Sequence, residues 1–445
     1  KSVTQIGNRA IGYYEGQDVK ALTPDQLGRR ARVLLMLGEA DNKRGDLTAA
    51  LARYKTAEAT TSEQLARDPD NAQRIFDHAQ SVFWVGYIAW QRGDHAKAKA
   101  QFTEYHRLAT RLVEIDPLND DWQAELEYSY SNLGTLAMDE GDAAEAEGWF
   151  RKSLEVSLER LKVQPSDADR VSVAGQSYAW LADALYKQIR LTEASAARRA
   201  EIALYEQHQK LQKNDKEVIA AMEAAQRGLA HIEHSLGNSI AATELAKEAI
   251  VLADQVLSAD PDRIEALNRA ALARAAYAET ALFLGRHAET KRILQEGISI
   301  AEKLVSIDSA TIQWSSITLS QLRLMLVKSE VFGGHAGQIG EFLDLLIEDQ
   351  SRFSEQQEHT SVRRILIAAL SIRARLGSQS ESDYGRIINI ASNESEKETI
   401  ETQVCLAEAL LETQRYADAE RIIIDLYRSG YRHPEFKEML ERRLV

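Results

Sequence analysis

A shift of 48 residues lays this sequence over itself. Asp68-Pro69, Asp116-Pro117, Gln164-Pro165 and Asp260-Pro261 fall in one phase, the last after a double step, so four of the six prolines share it. A second marker keeps the interval: Gly45-Asp46, Gly93-Asp94, Gly141-Asp142 and Gly237-Asn238, with Gly285-Arg286 a weaker copy. Glycine takes the left-handed conformation that ends a helix, and Asp or Asn accepts hydrogen bonds from the free N–H groups opening the next. Each pair therefore predicts a tight turn between two helices. A chain that recurs in this way buries its core between neighbouring copies and reads as one array rather than several globular domains.

The residues between the markers support helix. Ala, Leu, Glu, Arg and Gln are abundant, while only 6 prolines and 23 glycines occur in 445 residues, and bounded β-branched runs are hard to find. Five residues after each marker glycine stands Ala50, Ala98, Ala146 or Ala242, with Ala194 in the copy that lacks the glycine. Four further on come Tyr54, Phe102 and Phe150, on the same helix face as the alanine. Small residues let two helices approach closely, and the rings complete an alanine-to-aromatic seam.

Leu37-Gly38, Val85-Gly86 and Leu133-Gly134, followed by the marker glycines, alanines and aromatics, resemble the tetratricopeptide repeat pattern position by position. The resemblance implies an all-α solenoid of antiparallel helix-turn-helix repeats wound into a right-handed superhelix. In that family the first glycine marks where the two helices touch, and the aromatic fills space between repeats. The departure is the period, since the usual unit is about 34 residues. The surplus of about 14 adds about 7 residues per helix, close to two turns, which lengthens each helix without rotating its apolar face. Helices of about 20 to 22 residues, about 30 Å long, follow. Regular copies are expected at 31–78, 79–126, 127–174, 175–222, 223–270 and 271–318, preceded by a partial or capping repeat at 1–30. In the fourth copy Ile189 replaces the turn glycine and Lys213 the proline, which predicts blunter turns. Ser2–Tyr14 falls in the phase of a second helix, ahead of the Thr23-Pro24 helix start. Over 319–445 the period degrades: Gly333-Gly334 keeps the turn phase, a final unit is legible in Ala407, Tyr416, Ala419 and Ile423, and His433-Pro434 opens a capping helix.

The concave face of such a solenoid, lined by the first helix of each pair, is the expected binding surface. Family phase puts Phe83, Tyr87 and Trp90 there from the second copy, and Tyr128, Thr135 and Met138 from the third. The fourth gives Trp180, Asp183 and Tyr186, and the fifth Arg227, His231 and His234. Aromatic rings and Met anchor peptide helices or extended segments, although long helices also need rings as core; Trp122 and Trp149, out of groove phase, are read as core. Family members that clamp a chaperone's terminal carboxylate need Lys, Asn and Arg at fixed positions, where this chain has Leu35, Glu39, Trp84, Tyr128 and Asn132. Only Asn132 fits, which argues against that mode.

Composition and motifs narrow the function. With 54 basic and 68 acidic side chains, net charge −14, no nucleic-acid partner is expected. No apolar run reaches the about 20 residues of a membrane span. Cys405 stands alone, so no intrachain disulfide or thiolate cluster forms; this is compatible with the cytoplasm, which is favoured, and with the periplasm. Cys405 itself reads as a small buried residue. Phosphate-loop, dinucleotide, nucleophile-elbow and H-E-x-x-H motifs are missing. His231 and His234 share a helix face with no third ligand in view, so no metal or cofactor is expected. These features point to a non-catalytic scaffold holding a protein or peptide. A second reading is the sensory or oligomerising arm of a larger bacterial signalling protein, because the chain opens in mid-repeat with Lys1 and an effector or anchor would lie upstream; a homo-oligomer fits that reading. A third is an enzyme whose site lies in the degenerate C-terminal third.

Overall fold

The computed structural model describes residues 12–13, 17–309, 311, 314–335, 339–356, 359–377, 379–391 and 399–444. Over these the protein is all-α, with nineteen α-helices and no strand. The second-helix phase read in Ser2–Tyr14 lies outside the described residues, apart from Gly12 and Tyr13. The chain forms two compact units, Lys1–Gln164 and Pro165–Val445. None of the described helices is long and apolar enough to cross a membrane.

The first unit is three antiparallel helix pairs. They are α1 (Pro24–Lys43) with α2 (Leu47–Arg67), α3 (Ala72–Gln91) with α4 (His95–Ile115), and α5 (Asp120–Asp139) with α6 (Ala143–Val163). First helices have 20 residues and second helices 21, as the period demanded. Capping explains where each begins. The Asp46, Asp94 and Asp142 side chains accept from the N–H groups of Ala49, Lys97 and Glu145 at 2.9, 3.2 and 2.8 Å, and Thr23 closes a capping box with Gln26. Gly45, Gly93 and Gly141 take φ of +79°, +74° and +83°, the left-handed turn inferred from sequence.

Packing within each pair rests on a bare glycine. A Cβ on Gly38 would stand 2.5 Å from the Tyr54 ring and one on Gly86 3.0 Å from Phe102, and one on Gly134 would overlap the Phe150 ring. The rings lie directly on the backbone of the facing helix and are buried.

The second unit continues the spacing with α7 (Ala168–Lys187), α8 (Leu191–Leu211), α9 (Lys216–Ser235), α10 (Ser239–Ala259), α11 (Ile264–Ala281) and α12 (His287–Ile307). Its lock differs. Ala182, Ala230 and Ala278 take the glycine phase, and Arg198, Ala246 and Leu294 the ring phase. Small side chains make the interface of α10 with α11, where Ala249, Ala253, Ala270 and Ala273 are fully buried. Arg198 is buried as an ion pair with Asp183 at 2.6 Å and Glu201 at 2.8 Å; burial raises the Glu201 carboxyl to about 7 against the pull of Arg198.

The turn expected to be blunter at Ile189 is not. Ile189 itself adopts φ +57°, and its N–H donates to the Tyr186 carbonyl at 2.8 Å while Arg190 N–H reaches Leu185 at 2.9 Å. Gly93 and Asp94 make the same two bonds, both at 2.9 Å. The helices impose the turn, and the β-branched side chain endures a conformation that costs about 1–2 kcal/mol while packing against an apolar cluster with Leu191, Ile400 and Tyr431.

Beyond α12 the elements shorten. A π-helical segment, Trp314–Leu319, runs into α13 (Ser320–Phe332), followed by α14 (Gly340–Gln356), α15 (Thr360–Arg375), α16 (Ser380–Ala391), α17 (Ile400–Glu412), α18 (Tyr416–Arg428) and α19 (Pro434–Leu444). An aliphatic core built around Leu322, Leu343, Ile367, Leu370 and Ile387 joins α13 to α16.

Candidate protein-binding face

In the first unit the outward positions of α3 and α5 carry a continuous aromatic surface. The Trp84 ring stacks on Tyr54 with centroids 5.3 Å apart, Tyr87 meets Trp84 at 5.5 Å, and Trp90 follows at 5.7 Å. Phe83 lies beneath, only 5% exposed, and links Tyr87 at 5.8 Å to Tyr128 on α5 at 5.3 Å. Tyr128 is 44% exposed; Tyr87, Trp90, Thr135 and Met138 are half-buried. The rings thus meet stacked, edge to face or tilted over one another, arrangements their quadrupoles allow. Trp84, weighed from sequence only as a clamp position, is part of this surface; its place three residues before Tyr87 on one helix is the signal that could have found it. Asn132, the one residue fitting a carboxylate clamp, bonds the Tyr128 carbonyl at 2.7 Å.

Carboxylates border the rings. Asp139 accepts from the Trp90 indole N–H at 2.5 Å. Glu125 accepts from the Tyr105 hydroxyl at 2.5 Å and the Gln80 amide at 2.8 Å. Burial pushes the Glu125 carboxyl above its ordinary range, the two neutral donors opposing the rise.

The same phase in the second unit is already covered, by the chain itself. The Tyr186 hydroxyl lies 3.1 Å from both Ser235 Oγ and Glu401 Oε1. His231 stands between Glu279 at 3.4 Å and Glu401 at 3.1 Å. His234, fully buried, has the His433 ring 4.4 Å away and Phe283 at 5.8 Å. The Arg432 N–H donates to the Ser235 carbonyl at 2.8 Å, and its own carbonyl passes so near Gly237 that a Cβ there would stand 3.0 Å away. Lys328 on α13 binds Glu435 at 2.7 Å. The start of α17, the connection ahead of α19 and α19 itself therefore lie across the groove-phase side chains of α7, α9 and α11, sealed by Leu191, Val404, Tyr431, Phe436 and Met439.

Electrostatics follow from this burial. His231, despite desolvation, is pushed up to about 10 by Glu279 and Glu401. Desolvation, with the nearby His433, takes His234 down to about 3, and burial lowers His433 too. Glu401 is held at about 2 against its burial by His231. His231 and His234 thus face different partners instead of one ion, and Glu233, between them in sequence, accepts from Ser195, Arg199 and Asn238.

The remaining sequence candidates are placed as follows. Trp180 is half-buried, Asp183 pairs with Arg198, and Arg227 pairs with Glu223 at 3.0 Å. Trp122 and Trp149 are half-buried beside the α3–α4 core. Trp149 also stacks with Tyr130 at 6.0 Å and carries the Lys152 ammonium at 4.4 Å. Cys405 is only partly exposed, and burial pushes its thiol up to about 12, far from a thiolate.

A family model described as tetratricopeptide repeat matches residues 128–152 and 400–423. The first stretch holds Gly134, the Gly141 turn and Phe150; the second spans the α17–α18 pair. These two stretches match the tetratricopeptide repeat. The chain's repeats share their fold with a Rap protein complexed with Competence and Sporulation Factor: TM-score 0.50, 14% identity, 94% of this chain and 99% of that one covered. The apo form of RapI (TM-score 0.43, 16% identity, 69% and 96% covered) and a tetratricopeptide repeat protein from Parabacteroides merdae (0.38, 14%, 72% and 99%) are further similar structures. No curated protein matches the sequence.

Proposed function

We propose that the protein is a non-catalytic interaction scaffold whose first unit holds a peptide or protein segment on the aromatic face of α3 and α5. The observation that carries this reading lies in the second unit. There, side chains in the same repeat phase as Tyr87 and Trp90, namely His231, Tyr186 and His234, hold a segment of polypeptide through rings, a backbone hydrogen bond and ion pairs. At the equivalent positions of α3, Tyr87 and Trp90 present half-buried rings, and Tyr128 beside them on α5 is 44% exposed. Large aromatics concentrate binding energy at interfaces. The relative in fold solved with Competence and Sporulation Factor is in keeping with a repeat face that binds.

Capture from native lysate by the full chain, compared with the Tyr87→Ala/Trp90→Ala variant, tests the reading. Truncation of two anchors is expected to weaken a genuine partner by about 2 kcal/mol or more, at least tenfold. Unchanged capture by a folded double variant would remove this face from consideration.

A further inference from the structure

The two faces differ in charge. In the second unit the covering segment brings carboxylates, Glu401 and Glu435, to the cations His231 and Lys328. On the first unit the signs reverse. From Leu112 to Phe150 the sequence carries eleven acidic residues and no Lys, Arg or His. Several are compensated away from the rings: Asp120 by Arg160, Glu140 and Glu145 by Lys99, Glu147 by Arg151. Asp121, Glu125, Tyr128, Asn132, Thr135 and Asp139, however, follow one another at intervals of three and four and so share one face of α5. Among the described residues, Glu125 and Asp139 receive only neutral donors, a phenol, an amide and an indole. Across from them on α3, Asp77 has Arg74 at 3.6 Å, and the outward positions that follow are Gln80, Trp84 and Tyr87.

A carboxylate fixed by a ring N–H or hydroxyl, beside the open faces of Trp and Tyr, attracts a cation twice over, by charge and by the ring quadrupole. Resting on the reading that this face binds, we propose that its partner is a cationic polypeptide segment whose apolar side chains lie on Tyr87 and Tyr128. Its Lys or Arg side chains reach Asp139 beside Trp90 and Glu125 beside Tyr128. An acidic segment would place uncompensated carboxylates against Asp121, Glu125 and Asp139 and is repelled.

The test titrates the full chain with three synthetic helical peptides that share the same Leu and Trp anchors and carry Lys, Gln or Glu at every other position. Affinity is read by fluorescence anisotropy at low and high salt. The Lys peptide is expected to bind at least tenfold more tightly than the Gln peptide, with the gap closing as salt screens it, and the Glu peptide more weakly than either. Glu125→Gln/Asp139→Asn should bring the Lys and Gln peptides to equal affinity, and Tyr87→Ala/Trp90→Ala should weaken all binding. Equal binding of the Lys and Gln peptides, or a preference that survives Glu125→Gln/Asp139→Asn, overturns the charge inference and leaves the aromatic face standing. No binding by any peptide counts against the aromatic face itself.

Discussion

Phe150 occupies the space that a side chain on Gly134 would need, and the two residues are legible only as a pair. Gly134→Ala forces the ring or the helix to move, and is expected to destabilise the first unit by about 1–3 kcal/mol. Gly148 provides the control, since it is exposed on α6 with nothing within 4 Å of an added Cβ. Gly148→Ala should raise stability by up to about 1 kcal/mol, through helix propensity and a less flexible unfolded chain. Urea unfolding of the two variants side by side decides the matter. Equal and small effects would mean that the glycine-ring contact does not hold the pair. Ile189 shows the limit of reading residues singly. Its identity argues against a left-handed turn, yet the packing of α7 on α8 and the apolar cluster over the side chain enforce one.

Among elements, the long helices were readable because capping and turn chemistry are local. Asp46, Asp94 and Asp142 announce helix starts a few residues away, and a glycine every 48 residues announces the turns. The covering of α7, α9 and α11 by α17 and α19 was not readable. Nothing in the vicinity of His231 or Glu401 states that the two meet, and side chains that look like an open groove by phase are the same ones that hold an internal segment. That junction has a pH signature. His234 and His433 are held below their ordinary value, so the junction is fully stabilised by them above about pH 6.5 and loses that contribution as pH falls toward the lowered values, because the opened chain takes up protons that the closed one refuses. His231 is raised to about 10, so its contribution is complete below about pH 6.5 and is lost as pH rises through 10. Glu401, held at about 2, adds a loss only in stronger acid. Amide exchange in 400–444, corrected for intrinsic rates, should therefore be slowest near pH 6.5 and quicken on both sides. His231→Gln should flatten the alkaline arm, and His234→Gln the acidic one. A pH-independent exchange profile would contradict the assigned ionisation states.

At the scale of the molecule, the same repeat phase is covered in the second unit and open in the first. The helix pairs of the second unit spend their groove-phase side chains on the chain's own C-terminal helices. Removing 399–445 uncovers Leu191, Tyr186 and His234, and should lower the unfolding temperature of the second unit by several degrees, each lost kcal/mol being worth about 2–8 °C depending on domain size; an unaltered calorimetric trace would show that the covering helices contribute nothing. In the first unit the aromatic surface of α3 and α5 stays in contact with water, bordered by Glu125 and Asp139, which among the described residues receive neutral donors. Hydroxyl-radical footprinting of the full chain, alone and with a partner recovered from lysate, tests the central claim most directly. In the free chain Tyr128 and Trp90 should be modified readily and Tyr431 spared, and on binding Tyr87, Trp90 and Tyr128 should become protected together. Protection that appears elsewhere while these three rings remain reactive would contradict it.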